Sequence, residues 1–178
     1  MQYAHGGDIY TYKNLLDFSI NVNPLGPADA VVEAAARSMQ RIREYPDSQS
    51  RELRNALAEK KGLAAERFVI GNGAADLLFS LVLAEKPKKA MIVIPAFSEY
   101  EQALKTVGCE ILYHEVKKEN NFRLGMDLTE KITSELDFLF LCSPSNPAGQ
   151  AVEKELFIKI AEKCEKERVR LVLDECFV

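Results

Sequence analysis

The chain has 178 residues, 47% of them hydrophobic and 28% charged, with a net charge of −4 from 23 basic and 27 acidic residues. That composition fits one soluble domain with a buried core, and the acidic balance argues against nucleic acid as a partner. Its four cysteines form no CxxC pair and only two histidines are present, which argues against a metal site. No basic and apolar leader opens the chain, and no apolar run approaches the roughly 20 residues that span a bilayer. Reduced thiols at Cys109, Cys142 and Cys176 in apolar, strand-like stretches are expected to be buried, which fits a cytoplasmic protein. The charge clusters at 86–89 and 162–170 read as solvated surface.

Residues 1–27 are rich in Asn, Gly and Pro, and read as an irregular N-terminal arm. A helix is expected from about Pro27, with Val31, Val32, Ala35, Met39 and Ile42 on one face and Pro46 as its end. A second runs from Ser50 to Lys61 and stops at Gly62. From there the pattern alternates. Phe68-Val69-Ile70 reads as a strand and Gly71-Asn72-Gly73 as a tight turn, with a helix over 75–85. A strand follows at 90–94 and a helix at 97–107. Next come a strand at 110–116 and a short helix at 127–134 with Asp127 as N-cap. A strand at 137–142, a helix at 153–168 and a strand at 170–173 complete the set. Strands alternating with helices predict a three-layer α/β/α fold around a mostly parallel sheet. Continuously apolar strands predict cover on both faces.

Ligands of open α/β sheets bind beyond the carboxyl ends of the strands. Four unusual segments lie there. Gly71-Asn72-Gly73-Ala74-Ala75 opens a helix, whose free N–H groups suit a phosphate; the plain alternative is a strand-to-helix turn. Phe97, after strand 90–94, can stack on a flat ligand or join the core. Asn146, between two prolines, can bond a ligand oxygen or cap its own turn. Asp174, directly after a buried strand, needs a partner. That partner is a protonated ring nitrogen, an ion pair or a helix terminus. Together the four converge on one ligand.

These segments resemble the fold-type I enzymes that use pyridoxal phosphate (PLP), in the class I/II aminotransferase group. The resemblance is carried by Tyr45-Pro46-Asp47, Gly71-Asn72-Gly73-Ala74, Pro95-Ala96-Phe97-Ser98-Glu99-Tyr100, Ser143-Pro144-Ser145-Asn146-Pro147-Ala148-Gly149 and Leu173-Asp174-Glu175. The arm, with His5-Gly6-Gly7-Asp8 and Asn21-Val22-Asn23-Pro24-Leu25-Gly26-Pro27, is more similar to threonine-phosphate decarboxylases of cobalamin biosynthesis. Histidinol-phosphate aminotransferases are the alternative, and a non-catalytic PLP-binding or interaction fragment is a second class. The resemblance implies PLP as cofactor. Gly73, Ala74 and Ala75 would hold its phosphate and Phe97 would stack on its ring. Asn146 would bond the phenolic oxygen, Asp174 would pair with the ring nitrogen, and Cys176 would lie beneath the ring. Tyr45 would reach the phosphate of a neighbouring subunit, which implies a homodimer. His5 and Asn21 would lie near the phosphate of a small phosphorylated amino-acid substrate. Phe177 departs from the pattern, because transaminases carry a tyrosine there. The family's Schiff-base lysine follows the Asp-Glu motif by several tens of residues, and no lysine here matches it. The expectation is therefore an N-terminal fragment, inactive alone. It would comprise the arm (1–27) and part of the large domain (28–178), its sheet incomplete at the C-terminal end and the small domain absent.

Overall fold

Five apolar residues in succession, Phe138 to Cys142, form strand β3, and every one of them is buried. A strand that apolar needs cover on both faces and a neighbour on each side. The computed structural model, which describes residues 6–13 and 15–178, provides both. Its sheet has the order β2-β1-β3-β4, from β1 (Lys89–Ile94), β2 (Glu110–Glu115), β3 (Phe138–Cys142) and β4 (Arg170–Asp174). All three pairings are parallel. Ile92 lies opposite Phe140, and Phe140 opposite Val172, so the three strands that carry the candidate residues are adjacent. β4 is an edge strand.

Alternation along the strands divides the core in two. Ala90, Ile92, Phe138 and Phe140 point to one face. They pack with Leu78 and Val82 of α3 (Gly73–Glu85) and with Tyr100, Ala103 and Leu104 of α4 (Ser98–Thr106). Met91, Leu139 and Leu141 point to the other. They meet Leu128 of α5 (Asp127–Lys131) and Leu156, Ile160 and Cys164 of α6 (Lys154–Glu167). Helices on both faces of a parallel sheet make the expected three layers. Each large apolar side chain buried this way contributes about 1.5–3 kcal/mol.

The chain forms two compact units, Met1–Phe68 and Val69–Val178, and the sheet lies in the second. The first contains α1 (Asp29–Ser38), a 3-10 turn at Met39–Arg41, α2 (Arg51–Lys61) and a second such turn at Ala65–Arg67. Neither of its helices has a buried residue. The Asp47 carboxylate accepts the N–H groups of Gln49 and Arg51, at 3.1 and 2.9 Å, and so closes the entry to α2.

Several boundaries differ from the sequence expectation. The first helix tightens into the 3-10 turn after Ser38 and ends well before Pro46. Phe68–Ile70 is not a strand: Phe68 is extended (φ −107°, ψ 130°), but no neighbouring strand pairs with the segment among the described residues. The helix expected from Ala75 begins at Gly73. The helix expected over 127–134 stops at Lys131, because Ile132 turns into the extended region and is fully buried. Asp127 makes no cap bond; its carboxylate lies 3.8 Å from His114 and 4.0 Å from Lys131.

α6 ends on Arg168, which holds the left-handed conformation (φ 60°, ψ 32°) while its N–H bonds to Cys164 and Glu165 carbonyls. A side chain with a Cβ is strained there, by about 1 kcal/mol relative to glycine. Arg168→Gly should stabilise the chain by up to about that amount. A urea midpoint that rises with unchanged slope would show it. A fall would mean that the arginine side chain outweighs the backbone strain.

Candidate functional site

The carboxyl ends of β1, β3 and β4 lie side by side, and the backbone alone brings their following residues together. Ile94 leads through Pro95 and Ala96 to Phe97, which precedes α4. Cys142 leads into the loop 143–152, and Cys142 lies opposite Asp174 in register. The Ser143 N–H extends the ladder by bonding to the Asp174 carbonyl (3.0 Å).

Asp174 anchors the site. Its Oδ2 accepts the Tyr100 hydroxyl at 2.5 Å, and its Oδ1 accepts the Cys176 N–H at 3.0 Å. Burial pushes the Asp174 carboxyl up, but bonds from Cys176 and Tyr100 outweigh it and hold the group below its ordinary range. Asp174 is therefore an ionised, half-buried carboxylate. No helix starts at it, and no cation pairs with it among the described residues. A charge left in that state invites a cationic partner.

Tyr100 is 1% exposed, and burial followed by the Asp174 carboxylate drives its hydroxyl far above the usual tyrosine range, so it acts as a donor. Its ring stacks on Phe140 (centroids 5.3 Å, 27°) and meets Phe97 edge-on (5.9 Å, 84°). Phe97 is itself half-buried. It both packs against the core and stands at the strand end, so the two sequence readings are compatible. Tyr100 closes the 95–100 segment that carries the resemblance, but the sequence reading gave it no role of its own. Its spacing from Phe97, three residues along a helix start, was the available signal.

The glycine turn is built for a close approach. Gly71 has no room for a Cβ, which would meet Leu77 and Asp76 at 2.8–2.9 Å. Gly73 takes φ +84°, where a Cβ is strained, and the space a Cβ would enter is open. The Asp76 carboxylate accepts the Asn72 N–H at 2.9 Å and fixes the turn. The first-turn N–H groups of Gly73, Ala74 and Ala75 then have no acceptor within the 13-residue helix. Ala74 shares an open apolar groove with Leu77, Leu173, Asp174 and Cys176.

The loop after β3 is pinned from within. The Ser143 hydroxyl accepts the Val152 N–H (3.0 Å), and the Ser145 hydroxyl accepts the Gln150 N–H (3.0 Å). Asn146 is half-buried in that loop. Cys109 and Cys142 are buried as expected, and so is Cys164 of α6. Cys176 is not: β4 ends at Asp174, and the chain turns back at Glu175–Val178, leaving Cys176 exposed. The Cys176 thiol is pushed up to about 11, first by its bond to Asp174 and then by burial.

Gly73, Ala74, Ala75, Phe97, Asn146, Asp174 and Cys176 all fall in the Val69–Val178 unit. Tyr45, fully exposed, and Asn21, also exposed, fall in the other. His5 lies outside the described residues. Among the described residues no His/Cys/Asp/Glu group could hold a metal ion, and no helix is long and apolar enough to cross a membrane.

The sequence profile of aminotransferase class I and II matches residues 13–178. The chain belongs to this family. It is 38% identical to the threonine-phosphate decarboxylase of Salmonella typhimurium, over 98% of the chain and 50% of that protein. It is 33% identical to a histidinol-phosphate aminotransferase of Methanococcoides burtonii, over 93% of the chain and 46% of that protein. The crystal structure of the histidinol-phosphate aminotransferase from Clostridium acetobutylicum matches the fold with a TM-score of 0.78, at 26% identity, over 92% of the chain and 48% of that structure. The chain thus spans about half the length of the relatives it matches. The sheet with helices on both faces is part of the PLP-dependent transferase fold.

Proposed function

We propose that these residues form the cofactor cradle of a PLP enzyme acting on a phosphorylated amino acid, with threonine-phosphate decarboxylation as the reaction. One observation carries the cofactor reading: an ionised, hydrogen-bonded Asp174 at a strand end, sharing a groove with the start of α3. When bound, PLP supplies an electron sink for the charge that develops at the substrate's Cα.

The chain's own groups divide the work. N–H groups of Gly73, Ala74 and Ala75 hold the phosphate, aided by the positive end of α3. The Asp174 carboxylate keeps a proton on the ring nitrogen, and an ionised carboxylate does this where a neutral one cannot. Phe97 would stack on the ring, and Cys176 would stand as the small residue beneath it. The Asn146 amide donates to the phenolic oxygen. Phe177 carries no hydroxyl, so the second donor usual in transaminases is lacking. Tyr45 would reach the cofactor phosphate of a neighbouring subunit in a cytoplasmic homodimer, and His5 and Asn21 would lie near the substrate's phosphate. The decarboxylase choice draws support from the 38% identity to the Salmonella protein and from Phe177. Histidinol-phosphate transamination is the alternative, supported by the 33% relative and the structural match at 26% identity.

Mixing the chain with PLP should give saturable binding, seen as a shifted absorbance, that competes with inorganic phosphate. Borohydride reduction should trap no adduct at one defined lysine, because none matches the family's position. In the full-length enzyme that carries these residues, threonine phosphate should release CO2. Amino-group transfer from histidinol phosphate in its place would select the alternative. Turnover of neither would overturn the substrate assignment, and absence of PLP binding would overturn the cofactor.

A further inference from the structure

The geometry points to Tyr100 as a positioning residue that clamps the Asp174 carboxylate in one orientation for a cationic ring nitrogen, an inference that rests on the cofactor reading above. A terminal carboxylate turns easily about its last bond, because that torsion is broad. The Cys176 N–H holds Oδ1 from only two residues away, on a turn that is exposed. Tyr100 reaches Oδ2 from a different element, 74 residues distant in sequence. Donors from two directions, Tyr100 on one side and Cys176 on the other, fix the plane of the carboxylate. Its remaining acceptor positions are then presented to a ligand in a constant direction.

The clamp is rigid because the tyrosine is. Its ring is held by Phe140 beneath and Phe97 at its edge, and it is almost wholly buried. Its hydroxyl does not titrate in the working range, so it always donates. Phe97 is the residue assigned to the ring face and Asp174 the one assigned to the ring nitrogen. Tyr100 touches both, and so ties the stacking surface to the charge that faces it. Tyr100 acts through Asp174 and is not itself a catalytic residue.

Tyr100→Phe keeps both ring contacts and removes only the hydroxyl. In the chain carrying 13C-labelled aspartate, the Asp174 carboxyl should titrate about one pH unit higher in this variant, the loss expected for one charge-assisted hydrogen bond. PLP affinity should fall about tenfold at neutral pH, and further as the pH drops. A second measurement needs no variant: the Tyr100 ring carbon bonded to the hydroxyl should shift with the same midpoint as Asp174. An unchanged Asp174 midpoint in Tyr100→Phe, or a Tyr100 signal indifferent to that titration, overturns the clamp. Absence of PLP binding by the unaltered chain, with the coupled titration intact, instead overturns the cofactor reading.

Discussion

Phe140→Ala should cost about 3–5 kcal/mol of stability, the range for truncating a buried phenylalanine. The total stability of a domain is about 5–15 kcal/mol, so this one change removes a large part of it. Phe140 is 1% exposed and sits near the middle of β3, a central strand. Its ring stacks on Tyr100 and lies 5.9 Å from Phe138, and such aromatic pairs add about 0.5–1.5 kcal/mol beyond burial. The surrounding α3 and α4 cannot collapse into the space without breaking their own packing on Ala90 and Ile92. Urea unfolding should show the loss as a lower midpoint. Phe140→Leu, which keeps more of the volume, should lose much less. Tyr45→Ala is a sharp control: Tyr45 is fully exposed and should change stability by no more than about 0.5 kcal/mol. A Phe140→Ala midpoint close to that of Tyr45→Ala would mean that the two-faced core is not the source of stability. Because Phe140 also seats Tyr100, the site should loosen along with the core.

The sequence carried the sheet clearly because strands buried on both faces leave unbroken apolar runs, and glycine and proline mark their ends. Phe138–Cys142 and Lys89–Ile94 fell within one residue of the expected bounds. What it could not carry was pairing. Phe68–Ile70 has a strand's composition, yet a strand exists only through a neighbour's hydrogen bonds, and that is not a local property. The short helix 127–131 shows the same limit from the other side. The spacing of Asp127 and Glu130 matches a cap, but a buried His114 and Lys131 offer Asp127 other company. At the site, the residues that end strands were legible one by one, since a carboxylate or a glycine turn there is unusual. Tyr100 was not, because its importance lies in a contact 74 residues away.

Asp174→Asn removes the charge at that contact and one of its two acceptor oxygens: the amide oxygen can still accept from Tyr100, but its NH2 then faces the Cys176 N–H. At neutral pH the change should cost about 1–2 kcal/mol, the difference between a charge-assisted and a neutral hydrogen bond. The sign with pH follows from the carboxyl being held below its ordinary value of about 3.9. Stabilisation from such a group is fully present above the unfolded value and is lost as the pH falls through the folded one. The two proteins should therefore differ at pH 7 and converge as the pH falls through the lowered folded value of the Asp174 carboxyl. Cys176 also donates to this carboxylate, and its thiol remains protonated throughout that range, so it does not blur the comparison. PLP binding should suffer more than stability, by tenfold or more, because an amide cannot hold a proton on a ring nitrogen as a carboxylate does. An equal stability offset above and below that folded value would show that the amide perturbs packing and not charge. Unchanged PLP affinity alongside a pH-dependent offset would leave Asp174 as a structural carboxylate, held by Tyr100 for the fold alone.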